Sequence, residues 1–187
     1  MATRLLSNRI LVTATVAAAA LLAAGCGGSS DSSSDTSPTA TWADGLCSAI
    51  TTWTSSISSI GDTLKGGDLS KDSLNSAVDE AKSATETFTS DLDGLGKPDT
   101  EAGQKAKESV DQLSTDLKAG VTTIQDALDG ASGISGIIAA APVIVTTLGT
   151  MGTQTSSTIS SLQSLDAKGE LETAFKDAPS CATLTGS

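Results

Sequence analysis

The chain has 187 residues, with 22 acidic side chains against 11 basic ones and no histidine, a formal net charge of −11. That balance argues against nucleic acid as a partner and against electrostatic docking on anionic headgroups. The lack of histidine and tyrosine removes the commonest general base and the phenolic acid, and no CxxC, HExxH, GxSxG or phosphate-cradling loop is present.

Residues 1–25 have the three parts of a secretory signal. Arg4 and Arg9 are the only charges, an apolar run extends from Ile10 to Leu22, and small residues follow. The run falls short of the roughly 20 residues that a hydrocarbon core requires, which predicts cleavage rather than a membrane span. Ala24-Gly25-Cys26 closes the segment. Here the chain resembles bacterial lipoproteins, whose lipobox ends in a small residue followed by the cysteine that is lipidated. The position usually held by Leu, Val or Ile is Ala23, with Leu22 one earlier. The resemblance implies that Cys26 takes a diacylglyceryl thioether and becomes the first residue of the mature chain. The alternative is an ordinary secreted protein cut nearby, with Cys26 a free thiol. A chain anchored by two or three acyl groups is held firmly to the membrane without spanning it.

Removing the signal leaves 162 residues with nine lysines, no arginine and 22 acids, a formal charge of −13. Of the three cysteines, Cys47 and Cys181 remain once Cys26 is committed to lipid. An oxidising extracytoplasmic compartment favours a disulfide between them, against two buried free thiols.

Taken in order, Gly27 to Thr41 (GGSSDSSSDTSPTAT) has no large apolar residue to bury and reads as a disordered tether. The folded domain is expected over 42–187, after a lipidated cysteine and tether over 26–41. Trp42, Leu46, Ile50, Trp53, Ile57, Ile60 and Leu64 fall within about 80° of one another at 100° per residue, one stripe of a first helix. Cys47 lies on its flank, and Gly66-Gly67 ends it. A second helix starts near Asp68 or Ser70 and carries Leu74, Ala77, Val78, Ala81, Ala84, Phe88 and Leu92 at spacings of three and four. Gly94, Gly96 and Pro98 then form a connection, with Pro98 suited to the first turn of a third helix running from about Asp99 to Asp129. Ala102, Ala106, Val110, Leu113, Leu117, Val121, Ile124 and Leu128 form the apolar arc of that helix, with Asp111, Lys118 and Asp129 opposite.

From Gly130 to Leu165 there is no charged residue in 36 positions. One reading is a buried helix-to-helix crossing at Ile137–Val145, with Pro142 near the start of a fourth helix and Leu148, Met151, Thr155, Ile159, Leu162 and Leu165 continuing its stripe. The other is a hairpin able to leave the bundle and enter a bilayer. Thirteen Ser and Thr and five Gly in the segment make it a poor span. A short last helix is expected over Glu170 to Lys176, ending at Ala178-Pro179 before Cys181.

The pairs Asp91 with Asp93, before Gly94, and Asp126 with Asp129, before Gly130, offer too few oxygen ligands for calcium and match no EF-hand, so solvated helix ends are the favoured reading. Trp42 and Trp53 lie on the core stripe rather than in a ligand-stacking box. The opening Trp42-Ala43-Asp44-Gly45-Leu46-Cys47-Ser48-Ala49-Ile50, with Trp53, and the closing Ala178-Pro179-Ser180-Cys181 resemble the ends of small actinobacterial lipoproteins and secreted proteins of unknown function. That resemblance implies a helical domain and brings no activity.

The sequence therefore predicts an all-α, antiparallel bundle of about four long helices and a short C-terminal one, closed by one disulfide. It is expected on the extracytoplasmic face of the cell membrane, anchored through Cys26. The favoured role is a non-catalytic interaction or structural module, with an envelope protein or a lipid as partner, no nucleic acid and no cofactor. The alternatives are a carrier for a lipid or other apolar molecule, whose cavity Gly130 to Leu165 could line, and a membrane-active helical protein.

Overall fold

A computed structural model describes residues 37–66, 69–165 and 168–185; Cys26 and the segment 1–25, expected to be a signal, lie outside the described residues. Four long helices follow one another: α1 (Pro38–Gly66), α2 (Lys71–Leu95), α3 (Gly103–Asp129) and α4 (Gly133–Ser164). A short α5 (Glu170–Asp177), a 3₁₀ turn (Pro179–Cys181) and a last turn, α6 (Ala182–Thr185), complete the chain. Among the described residues there is no strand.

The apolar stripes produce the packing. In α1 every residue of the stripe from Trp42 to Leu64 is buried, and in α3 so is every residue of the arc from Ala102 to Leu128. Helix α1 packs on α2 and α4, and α3 packs on the same two, so α1 and α3 sit on one diagonal of a square bundle. The direction of the first pair follows from two bonds: Trp42 donates to the Gly96 carbonyl at 3.2 Å, while Trp53, further along α1, donates to Thr85, earlier in α2. As α1 advances α2 recedes, so they are antiparallel. Between α3 and α4 the close approach is at Gly120, where a Cβ would meet the Met151 side chain at 2.8 Å and force that thioether to shift.

Three boundaries differ from the sequence reading. Helix α1 begins at Pro38, not Trp42, because Ser37 accepts from the Ala40 N–H at 3.1 Å and Pro38 needs no partner for a missing N–H. Ala40 is buried as a result, so the folded domain begins inside the stretch read as tether. Helix α3 begins at Gly103, not Asp99. Residues 97–102 make tight turns instead, with the Thr100 N–H on the Pro98 carbonyl and the Gly103 N–H on the Thr100 carbonyl, both at 3.0 Å. Glycine at 96, with φ of 64°, lets the chain leave α2 into that corner.

The third difference is the largest. Residues 133–164 form one continuous helix, neither a crossing followed by a helix nor a hairpin, and Pro142 lies inside it. Proline is tolerated there because Pro142 and Ile138 are both exposed, so the carbonyl four residues back that loses its donor faces water. Of the two expected caps, Asp68 and Ser70, it is Ser70 that caps α2: it accepts from the Ser73 N–H at 3.1 Å, while the Ser73 hydroxyl accepts from the Ser70 N–H at 2.9 Å.

Candidate interaction surface

The bundle has two unlike ends. At one end lie the start of α1, the end of α2, the start of α3 and the end of α4. Thr39 donates to the Asp99 carbonyl at 3.3 Å, and Lys168 pairs with Glu101 at 2.6 Å. Here the tail folds back along α1 and the predicted cysteine pair is joined: Cys47 and Cys181 form a disulfide with Cα atoms 5.0 Å apart. The Asp44 carboxylate accepts from the Ser180 N–H at 2.8 Å, and Trp42 meets Phe175 edge to face at 6.3 Å. This is the pole from which the chain leads back from Ser37 toward Cys26.

Midway along, Trp53 stacks on Phe88 at 5.3 Å and donates its indole N–H to Thr85 at 3.1 Å. Both tryptophans are core residues, as their angular positions require. Thr85 is the partner that sequence reasoning missed. A buried indole N–H must find an acceptor, but the sequence alone does not say which of the many hydroxyls supplies it.

At the far pole lie the end of α1, the start of α2, the end of α3 and the start of α4. The first two turns of α4 lie beyond the last turn of α1, whose Lys65 shares a groove with Val145 further along α4. Ile134 is 79 % exposed and Ile138 62 %, one turn apart on one side of α4; Leu69, in the connection before α2, is 42 % exposed. Nothing in the described residues covers them. The inward side chains of the same helix, Ile144, Leu148, Met151 and Leu162, fill the core. Among the described residues, Leu148 also borders an open groove between α1 and α4.

Charge divides the bundle lengthwise. Helices α2 and α3 carry eleven acids between them, whereas α1 and α4 carry two, Asp44 and Asp62. Asp44 is engaged by the tail, and Asp62 pairs with Lys65 at 3.8 Å. Because α1 and α4 are neighbours, one flank is close to neutral and the opposite one acidic. By length and composition α4 alone among the described helices could cross a membrane, and 28 % of its most apolar window is buried. Against the near half of the neutral side packs α5 with exposed Glu170, Glu172 and Asp177. The Lys176 ammonium, hydrogen-bonded to Glu172 at 2.6 Å and attracting it by charge, holds that carboxyl below its usual range.

Open grooves run between the helices. One, of about 620 Å³, lies between α1 and α2, with the edges of Trp53 and Phe88 at its floor and Ser, Thr, Glu80 and Asp91 on its walls. Another, of about 510 Å³, lies between α1, α4 and α5 above Ile50, Thr155 and Phe175. Among the described residues no cluster of three or more His, Cys, Asp or Glu is placed to hold a metal. Asp91 and Asp93 stand in the last turns of α2, while Asp126 and Asp129 close α3, where the Asp126 carbonyl accepts from the Gly130 N–H. No protein family, curated protein or solved structure matches the chain.

Proposed function

We propose that this is a lipid-anchored protein of the extracytoplasmic cell envelope that acts as a non-catalytic interaction module. The observation that carries this reading is the polarity of the bundle. One pole leads to Cys26 and is tied down by the disulfide and tail, and the other displays Ile134 and Ile138 with nothing over them. Large apolar side chains left bare together at one end of an uncharged helix face favour a place of contact. The signal-like segment and Ala24-Gly25-Cys26 supply the anchor of this reading.

Intact and native mass spectrometry of the protein from its own membrane fraction tests it. The expected mass is that of residues 26–187 plus diacylglyceryl, two hydrogens short for the disulfide. An unmodified Cys26 would sink the anchor. A further lipid held noncovalently by the lipidated protein would replace the interaction module with a carrier.

A further inference from the structure

We infer that the outer face of the first half of α4, from Ile134 to Thr153, rests on a neutral lipid bilayer, the one that carries the anchor. The protein then leans, with its far end in the headgroup layer. The identity of that bilayer rests on the anchored reading above; the apolar contact itself does not.

Three observations lead to lipid rather than to another occupant. First, the face contains no charge, since none occurs between Asp129 and Asp166. The exposed Thr150 and Thr153 hydroxyls donate to the carbonyls four residues back at 3.0 Å, so these two bring no open donor to a layer poor in water, while the exposed Ser135 and Thr146 are left to the hydrated headgroups. Second, the apolar part is narrow. Ile134 and Ile138, one turn apart, are far less than the roughly 800 Å² per partner of a stable protein interface; an interfacial contact scales with the apolar area it buries, so the anchor supplies the proximity that so narrow an edge does not. Third, the chain outside the structure is short. At no more than about 3.6 Å per residue, the eleven steps from Cys26 to Ser37 hold the near pole within about 40 Å of the lipid, less than the roughly 43 Å length of α1.

Charge sets the orientation. The acids of α2 and α3 lie on the flank that this lean turns away from the membrane, and α5, with Glu170, Glu172 and Asp177, confines the contact to the far half. Spanning is not part of the proposal, because Ile144, Leu148 and Met151 belong to the core and would have to leave it.

The test is a photoreactive p-benzoylphenylalanine placed at Ile134 in the full chain, isolated with its own lipid and reconstituted in phosphatidylcholine liposomes. Because Ile134 is 79 % exposed, the thermal transition should not move. Irradiation should give acyl-chain adducts at least about tenfold above those from the same probe at the exposed Thr122 of α3, a difference that about 1.4 kcal/mol of preferential contact produces. Thr153→Glu should cut that yield. A crosslinked dimer, an adduct to another envelope protein in intact cells, or equal yields at 134 and 122 would overturn the proposal. Should the intact mass show Cys26 unmodified, the anchor fails separately. Adding liposomes to the soluble protein then still decides whether the face takes lipid: adducts support the contact and their absence overturns it.

Discussion

The two flanks of this bundle are built from the same apolar stripe and differ in what lies opposite it. On α3 the buried arc faces Asp111, Asp116 and Lys118, so one side is driven into the core and the other into water. On α4 the residues opposite the stripe are Ser, Thr, Gly, Pro and aliphatics, and no charge holds that side in water. Folding explains both inner faces. It does not explain the exposed isoleucines of α4, because a core gains nothing from Ile134 at 79 % exposure. A residue that stability does not require, at the end of the molecule away from the tied pole, points to contact.

The comparison can be broken or sharpened by substitution. The largest effect is expected on the neutral flank, where the disulfide fastens the tail to α1. Replacing both Cys47 and Cys181 by Ala should cost about 2–5 kcal/mol in urea unfolding; a loss under 1 kcal/mol would mean that packing of Phe175 and Trp42 holds the tail without it. Next comes the bond that joins the flanks. Thr85→Val keeps the shape but leaves the Trp53 N–H buried without an acceptor, and should cost about 1–3 kcal/mol.

Smaller still, Ile134→Ser with Ile138→Ser should change stability by no more than about 0.5 kcal/mol, since both are exposed. A destabilisation well above that would show that these side chains serve the fold. The smallest concerns Glu172. Its depressed carboxyl contributes stability above the unfolded carboxylate pKa and loses it as pH falls through the lower folded value. Lys176→Met should return that titration to the ordinary carboxylate range, which carboxyl NMR would follow.

Much of the fold can be read directly because the chain keeps a strict helical period wherever it has charges to set against it. The eight apolar positions from Ala102 to Leu128 are all buried for that reason. The same method misplaced α4, since a segment without charges shows no polar face from which to judge direction, and Pro142 stood out as a starting signal. Its position on the outer face, where the vacated carbonyl meets water, is a tertiary fact. The start of α1 was legible in Ser37-Pro38 as a cap followed by a first-turn proline, but the surrounding Ser and Thr hid it. Of the candidate surface, the uncharged run was visible and the bare edge was not. An expected start near Pro142 leaves Ile134 and Ile138 off the helical wheel; in the continuous helix, at about 100° per residue, they fall well away from Ile144, which the bundle buries completely.

The disulfide also decides what happens when the chain is cut. Cys47 stands near the start of the domain and Cys181 near its end, with 134 residues of sequence separation between them. A single nick at any peptide bond between the two leaves the severed parts covalently joined to the piece that holds Cys26. On the proposed anchor at Cys26, one cut between the cysteines would shed nothing into the medium, and release of the bundle would take a cut between Cys26 and Cys47, or a nick followed by reduction.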